Sequence, residues 1–401
     1  MKKRFSTATL IITCIASVTL TVLGVAAVFV FQYGGLDSFN SASKYAAIYN
    51  AIENDFVGDA DMEKVSNAAF SAMIDTIDDR WSYYMTAAQY VEYQKYQQNS
   101  YSGIGITIEL DKDNNLYKVV TVLEDSPANL AGVNIGDLVC EFDGQDLTGR
   151  TSAEVKELIS SKQDEPFELK LRAQDGTERV VTVSTELIYT KPVEYEMLDD
   201  GIGYIKIKNF ETDSGEEIIA AVDKLNSEGA KGIVFDVRNN PGGLLSELLK
   251  ALDHLLPEGD VFVSADKAGN ETVKTSDPEC VKIPMTVLMN ENSYSAAEFF
   301  AAALSEYDWA TTVGAHTTGK ARSQINILLI DGSAVHLSTN SYLTPKRVDL
   351  AEKGGLAPDV AVAIGEDDEA KLESGLLEHD EDPQLIAAVD KIEALNGKYS
   401  N

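Results

Sequence analysis

Residues 232–255 read GIVFDVRNNPGGLLSELLKALDHL and decide the fold of the central part of the chain. The run of apolar and β-branched residues at 232–237 has the length and composition of a buried strand. The Asn-Pro-Gly-Gly run at 240–243 carries residues that mark a turn. Apolar residues then recur from Leu244 to Leu255, which predicts a helix. A strand, a tight turn and a helix in direct succession indicate a mixed α/β domain.

The same alternation surrounds this stretch. We predict further strands at 202–207 and 284–289 and further helices at 214–226 and 295–305. Together these elements predict a mixed α/β core over residues 188–365. The tail, residues 366–401, is acidic, and we expect it to be solvated before a last helix at 383–395.

Residues 101–187 change to short β runs separated by turn signals. A strand is expected after the Gly-Ile-Gly-Ile loop at 103–106, and more strands are predicted at 118–123, 167–171 and 180–183. The Thr-Ser-Ala-Glu run at 151–154 is a capping box that opens an amphipathic helix. This segment is therefore predicted to be a β domain of its own.

Residues 36–100 are predicted to be helical, because Tyr45, Ile48 and Ile52 recur at helical spacing. The segment is also rich in aromatic residues, which are usually packing residues. We interpret it as a helical subdomain whose aromatic stripe could pair with a second copy in a homodimer.

The first 35 residues have the pattern of a membrane anchor. Lys2, Lys3 and Arg4 precede a run, residues 10–31, that contains no charged residue and is long enough to span a bilayer. The basic end is expected to stay in the cytoplasm, so that everything after about residue 32 is exported. Cleavage after a weak small-residue site at 24–26 is the alternative, and it would release a secreted protein.

Composition excludes several classes of function. The net charge is −32, and such a surface repels phosphate backbones, so nucleic-acid binding is not expected. The three cysteines do not have the spacing of a zinc site. We expect neither a metal nor a cofactor.

The α/β core carries three polar motifs. They are Arg-Asn-Asn-Pro-Gly-Gly-Leu at 238–244, Asn-Ser-Tyr-Ser-Ala-Ala-Glu at 292–298, and Thr-Gly-Lys at 318–320 with Gln324 four residues on. In this order they resemble the C-terminal processing peptidases, also called tail-specific proteases. The resemblance extends over about residues 40–395. It implies a multidomain fold of α/β and α+β parts, with a transmembrane helix, a helical subdomain, a PDZ-like domain and a serine protease core.

The PDZ part of the resemblance has its own motifs. The loop at 103–106, the segment at 126–132, Gly136-Asp137 and Asp143-Gly144 are similar in order to those of PDZ domains. Consecutive backbone N–H groups around Gly103, Ile104, Gly105 and Ile106 could converge on a terminal carboxylate. A substrate's free C-terminus is then expected to add as a strand beside residues 105–109, facing the helix that begins near Thr151.

The resemblance also implies roles for individual residues. Ser295 matches the nucleophile and Lys320 the general base, since a serine hydroxyl attacks only when a base removes its proton. Lysine can be that base only if its pKa falls towards neutrality. Gln324 matches an amide that orients the lysine. The oxyanion hole would use backbone N–H groups, and its candidate donors are Ala296, Gly242 and Gly243.

Some positions depart from the family pattern. Tyr294 replaces a small residue, Ala297 replaces a serine, and the run at 321–323 replaces Gly-Thr-Val. Lys346-Arg347 stands where a glycine-containing turn is expected, which affects substrate preference. Ser293 is the rival nucleophile, and either serine could instead cap the following helix.

Three other functions remain as alternatives. A trypsin-like PDZ protease needs a Gly-Asn-Ser-Gly-Gly site, and a metalloprotease needs His-Glu-x-x-His; the sequence contains neither motif. His316 is near Lys320 in sequence and could pair with a serine, although we interpret it as a surface or supporting residue. An inactive relative that tethers envelope proteins through its PDZ domain is the non-enzymatic alternative. The favoured hypothesis is a serine endopeptidase that cleaves exported or membrane proteins near their C-termini.

Overall fold

The computed structural model describes residues 6–32, 34–162 and 165–399. The helices are α1 (Thr7–Gln32), α2 (Leu36–Asp55), α3 (Met62–Asp75), α4 (Ala87–Gln97), α5 (Pro127–Leu130), α6 (Ser152–Ser160), α7 (Ser214–Ser227), α8 (Leu245–Leu255), α9 (Ala296–Glu306), α10 (Leu350–Lys353), α11 (Glu366–Ser374) and α12 (Pro383–Tyr399). The first ten strands are β1 (Tyr83–Met85), β2 (Ser100–Gly103), β3 (Ile106–Asp111), β4 (Leu116–Val122), β5 (Leu138–Phe142), β6 (Gln145–Asp146), β7 (Phe167–Arg172), β8 (Glu178–Val183), β9 (Glu186–Tyr189) and β10 (Val193–Met197). The others are β11 (Gly203–Ile207), β12 (Ile233–Asp236), β13 (Gly259–Ala265), β14 (Glu271–Ser276), β15 (Met285–Met289), β16 (Ala310–Gly314), β17 (Arg322–Leu328), β18 (Ala334–Leu343) and β19 (Val360–Ala361).

The chain forms two compact units, residues 1–84 and residues 85–401. In the first unit, α1 includes a span, Thr7–Val28, that is long and apolar enough to cross a membrane and is not buried by other parts of the protein. A signal sequence meets the same criteria, so the helix is consistent with an anchor or with a leader. The basic tip, residues 2–4, lies outside the described residues.

Helices α2 and α3 of the first unit contact each other through aromatic residues. The rings of Tyr45 and Phe70 stack at 5.5 Å, and the Tyr45 hydroxyl and the Ser66 hydroxyl are 2.9 Å apart. Neither helix contains a fully buried residue. The predicted helical character is confirmed, whereas pairing with a second copy stays a prediction.

The β domain in the second unit contains the sheet order β3-β4-β5-β7-β8, with β6 paired to β5. Its core extends in sequence from Ile104 to Val183. Helix α6 starts after Thr151, whose hydroxyl accepts the Glu154 N–H while the Glu154 carboxylate accepts the Thr151 N–H. The predicted capping box is therefore confirmed.

The α/β core is built on a six-stranded sheet in the order β10-β11-β12-β15-β16-β19. Strands β11, β12, β15, β16 and β19 are parallel, and β10 is antiparallel to β11. Because side chains alternate along a strand, the central strands β11, β12, β15 and β16 contribute to two cores. Phe235 packs in the core that includes α7, α8 and α9, whereas Val234 packs in the core that includes α12.

A second sheet contains the antiparallel order β14-β13-β18-β17. Phe262 on β13 and Tyr342 on β18 both make edge-to-face contacts with Phe299 on α9. These contacts hold the second sheet against the helix that begins within the motif at 292–298.

The acidic tail differs from the expectation, because residues 366–374 form helix α11. Its first turn contains four carboxylates, Glu366, Asp367, Asp368 and Glu369. Negative charges are favourable at a helix N-terminus, where backbone N–H groups are unpaired. The charge run that suggested a solvated segment is thus compatible with a helix.

A buried ion network joins α12 to the loop that follows β12. The Arg238 guanidinium bridges Asp236 at 2.6 Å and Asp382 at 2.7 Å, and it donates to the Gln384 side chain at 3.0 Å. All four side chains are almost completely buried. Burial alone would lower the pKa of Arg238, but the two carboxylates raise it well above its ordinary value. Asp382 and Gln384, at the start of α12, therefore fix the strand end from which the glycine turn departs.

Candidate active site

The three polar motifs lie at one edge of the parallel sheet. The loops at 237–244, 290–295 and 315–321 follow β12, β15 and β16, which are neighbours in the sheet. Carboxyl ends of parallel strands meet at the same edge, where α/β proteins usually bind their ligands. Motifs that are far apart in sequence are brought together in this way.

Ser295 stands at a strained junction between β15 and α9. Its φ of 59° and ψ of −124° are unusual for a residue with a side chain. A serine in a sharp turn that leads into a helix is presented at the helix N-terminus, as in the nucleophile elbows of α/β-hydrolases. The residue is 8% exposed, its backbone N–H donates to the Glu298 carboxylate at 2.9 Å, and its carbonyl oxygen accepts the Glu298 N–H at 2.9 Å. Ser295 thus starts the helix, and its strained backbone conformation indicates a role beyond capping.

Ser293, the rival nucleophile, is used structurally. Its hydroxyl donates to the Val237 carbonyl at 2.7 Å and accepts the Asn290 N–H at 3.0 Å. The residue is completely buried. A hydroxyl that joins the first and second loops in this way is poorly available for attack on a substrate.

Glu298 connects the nucleophile segment to the lysine loop. One carboxylate oxygen, Oε2, accepts the N–H groups of Ser295 at 2.9 Å and Lys320 at 2.8 Å. The other, Oε1, accepts the Thr317 hydroxyl at 2.5 Å and the Gly319 N–H at 2.6 Å. The side chain is fully buried. The sequence shows Glu298 only as the last letter of a motif, and its position three residues into a helix is the one signal of a capping role.

Two further side chains interact with Lys320. Its Nζ lies 5.6 Å from the ring centroid of Tyr294, within the range of a cation–π contact. The Lys320 charge also acts on Glu211, a residue that the sequence analysis did not select. Burial raises the pKa of the Glu211 carboxyl to about 7, and the Lys320 charge opposes part of this rise.

The glycine turn lies directly against the nucleophile segment. At Gly242, where φ is +87°, an added Cβ would lie 2.7 Å from the Ser295 Cβ and 2.8 Å from the Ala296 nitrogen. At Gly243 an added Cβ would lie 2.4 Å from the Phe210 carbonyl carbon. Both positions therefore require glycine for close approach.

The three predicted oxyanion donors differ in their availability. The Gly242 N–H already donates to the Asn240 side chain at 2.8 Å. The N–H groups of Gly243 and Ala296 have no acceptor among the described residues. These two amides are thus better suited than Gly242 to stabilise a developing oxyanion.

Gln324 lies on β17, four residues beyond Lys320. Its amide nitrogen donates to the Arg322 carbonyl and to the Ser338 hydroxyl, both at 3.0 Å. These two bonds fix the side chain and leave Oε1 as the atom that could orient a lysine.

His316 is exposed at the surface, and its Nδ1 is 3.1 Å from the Thr317 carbonyl oxygen.

The PDZ-type loop has a closed base and an open edge. Residues 103–105 are buried, and the carbonyl groups of Ile104 and Gly105 accept the N–H groups of Ala128 and Leu123. The Ile104 and Gly105 N–H groups have no acceptor among the described residues. In the described sheet, β3 has a single neighbour, β4, so its other side is an edge that an added strand could use.

Comparison with known proteins supplies the family. Residues 201–362 match peptidase family S41. A CtpA-like serine protease of Staphylococcus aureus is 31% identical over 353 residues, which cover 86% of this chain and 70% of that protein. The chain belongs to peptidase family S41. A CtpA-like serine protease of Staphylococcus epidermidis is 28% identical, with 83% of this chain and 68% of that protein covered. This member of family S41 is accordingly a serine peptidase. The predicted resemblance to the C-terminal processing peptidases is confirmed at the level of the family.

Solved structures agree on the fold of this S41 peptidase. The photosystem II D1 C-terminal processing protease is similar with a TM-score of 0.51 at 23% identity, covering 88% of this chain and 93% of that chain. An S41 protease of Bacteroides fragilis is similar with a TM-score of 0.57 at 16% identity, covering 81% and 90%. Residues 118–173 match a PDZ domain, which confirms the PDZ-like segment. The described residues contain no group of three or more His, Cys, Asp or Glu that could hold a metal ion.

Proposed function

We propose that this S41 peptidase is an exported, membrane-anchored endopeptidase that cuts proteins near their C-termini with a Ser295–Lys320 dyad. The observation that carries the proposal is the Glu298 carboxylate, which accepts the backbone N–H groups of both residues. One buried anion thereby sets the spacing between the nucleophile segment and the lysine loop. No such tie would be needed if Ser295 and Lys320 were unrelated surface residues.

The chemistry follows the ordinary steps of acyl transfer. Neutral Lys320 takes the proton of the Ser295 hydroxyl while the oxygen attacks the peptide carbonyl carbon. The oxyanion is stabilised by the Gly243 and Ala296 N–H groups, aided by the N-terminus of α9. The Lys320 ammonium then gives its proton to the leaving amine. Water attacks the acyl-enzyme with Lys320 again as the base, and Ser295 is regenerated.

Three further features complete the proposal. Gln324 orients the Lys320 amine through its Oε1. The loop of Gly103, Ile104, Gly105 and Ile106 captures the substrate's terminal carboxylate through backbone N–H groups, and the peptide adds to the open edge of β3. The helix α1 anchors the protein, which leaves the PDZ domain and the active site outside the cytoplasm.

Turnover of an unstructured polypeptide by the full chain in detergent micelles tests the proposal. We expect Ser295→Ala and Lys320→Ala each to lower kcat by at least about 10³-fold, since dyad members act as a unit. Ser293→Ala should retain turnover in proportion to its folded fraction. Residual activity of Lys320→Ala near that of the wild type would exclude lysine as the base.

A second arm of the same assay compares substrates with free and amidated C-termini. Amidation removes the captured charge, so we expect slower cleavage of the amidated polypeptide. Equal rates would mean that the PDZ domain does not read the terminus. The alternative function is an inactive tethering module, which would bind the free-ended polypeptide without cutting it.

A further inference from the structure

Glu211 lies beside the glycine turn of the active site. It follows Phe210, whose N–H donates to the Gly242 carbonyl and whose carbonyl accepts the Leu244 N–H, both at 2.7 Å. An added Cβ at Gly243 would lie 2.8 Å from the Glu211 nitrogen. The Glu211 backbone is thus held against the same turn that contacts Ser295.

The Glu211 carboxyl is buried without full hydrogen bonding. The residue is 5% exposed, and its Oε2 has no hydrogen-bond partner among the described residues. A buried and unpartnered carboxyl oxygen is unfavourable, because it has lost its hydrogen bonds to water without gaining others. Such a group calls for an explanation other than packing, because an apolar side chain would fill the space at lower cost.

The charged groups around Glu211 single out one partner. Burial raises the pKa of Glu211, and among the described residues it is the Lys320 charge that opposes this rise. Two other buried carboxylates are engaged elsewhere: Glu298 accepts the N–H groups of Ser295 and Lys320, and Glu247 on α8 accepts the Gly215 N–H and bridges Lys250. Tyr294, in the loop at 290–295, presents its ring to the Lys320 Nζ. Burial raises the pKa of the Tyr294 hydroxyl, so this side chain stays neutral.

We propose that Glu211 is a positioning residue that holds the Lys320 amine in the active site and sets its proton affinity. The proposal rests on the proposed Ser295–Lys320 dyad. An ionised Glu211 attracts the Lys320 ammonium and makes the neutral, attacking form of the amine rarer at a given pH. A protonated Glu211 does not have this effect. The two groups therefore titrate as a pair. The pH at which the peptidase gains activity then depends on the protonation of both Glu211 and Lys320.

Removal of the Glu211 charge should shift the pH dependence of kcat/KM, which would not happen if Glu211 had a structural role alone. In Glu211→Gln the shape is kept and the negative charge is lost, so the pKa of Lys320 falls. The acid limb of kcat/KM should then move to lower pH by about one unit, the lower end of the range for a close opposite charge. The maximal rate should fall about tenfold, because the amine is held less firmly.

The experiment measures kcat/KM from pH 5 to pH 10 for the full chain in micelles, with a short peptide substrate. Glu211→Asp keeps the charge, and we expect its acid limb to stay near that of the wild type while its rate falls. Glu216→Gln is the matched control, since this carboxylate is 71% exposed on α7, and its profile should be unchanged.

Two results would overturn the proposal. One is a Glu211→Gln protein whose kcat/KM is lower at every pH while the acid limb stays at the wild-type pH. This result would mean that Glu211 contributes only by its shape. The other is a Glu211→Asp limb that moves as far as that of Glu211→Gln. Failure of the dyad itself is seen separately, as retained turnover in Lys320→Ala.

Discussion

Substitution of Glu298 by glutamine is the most direct perturbation of the active-site framework. The change replaces one carboxylate oxygen by an NH₂ group, which can donate but not accept. The structure decides the orientation of the new amide. Its NH₂ can face the Thr317 hydroxyl, which is able to turn and accept, so the oxygen would remain on the Ser295 and Lys320 N–H groups.

The magnitude follows from the four bonds. The Gly319 N–H loses its acceptor at a half-buried position, which costs about 1 kcal/mol. The two bonds to Ser295 and Lys320 change from charge-assisted to neutral, at about 1 kcal/mol each. We therefore expect Glu298→Gln to lower the free energy of unfolding of the protease core by about 3 kcal/mol.

Catalysis should suffer even in the fraction that stays folded. Displacement of the lysine loop by about 1 Å is enough to reduce a rate by about 10²-fold. We expect this loss in kcat, with KM nearly unchanged, because the PDZ edge that is proposed to bind the substrate is not altered. The side chains of Ser295 and Lys320 are themselves untouched in this variant.

The assay combines turnover with unfolding in urea. The chain has two tryptophans, so a Trp81→Phe background leaves Trp309, which packs against the core of the peptidase, as the fluorescent reporter. Glu291→Gln is the control, because that carboxylate is exposed on the neighbouring loop. A Glu298→Gln protein with kcat within twofold of the wild type would refute the assigned role of this carboxylate.

Two further predictions concern pH and the glycine turn. The pKa of Glu211 rises from 4.5 to about 7 on folding, so its stabilising contribution is complete below about pH 4.5 and is lost as pH rises through 7. Glu211→Gln should match the wild type at pH 4.5 and exceed it by up to about 3 kcal/mol at pH 8, and an unfolding difference that does not vary with pH would contradict this. Gly242→Ala should reduce kcat by at least about 10²-fold through contact with Ser295, whereas Gly229→Ala, with a similar φ of +88° and open space, should retain activity. Equal losses in both variants would mean that backbone strain, and not the contact, is responsible.

Much of the fold could be predicted from local patterns. The strand at 232–237 appears as Ile233–Asp236 and the helix at 244–255 as Leu245–Leu255. The capping box of Thr151 and Glu154 is present as predicted. The second sheet, formed by β13, β14, β17 and β18, and helix α11 were not predicted. Hairpin strands with mixed polarity and a helix rich in carboxylates have weak periodicity, so tertiary contacts decide their structure.

The candidate site shows the same division. The order of the motifs was enough to select Ser295, Lys320 and the two glycines, because residue types and φ requirements are local properties. The roles of Glu298 and Glu211 could not be inferred from sequence, since their partners belong to loops that meet only when β12, β15 and β16 align.

What the sequence by itself determined is therefore the set of elements and the residues capable of chemistry. What only the tertiary structure decided is which donor meets which acceptor. Ser293 and Ser295 look equivalent in sequence, yet one hydroxyl is bonded to the Val237 carbonyl while the other stands at the strained start of α9. The Gly242 N–H is likewise bonded to the Asn240 side chain, whereas the Gly243 N–H has no acceptor in the part of the chain that the structure describes. Hydrogen bonds between separate loops depend on distances of a few tenths of an ångström, which packing sets and local sequence does not encode.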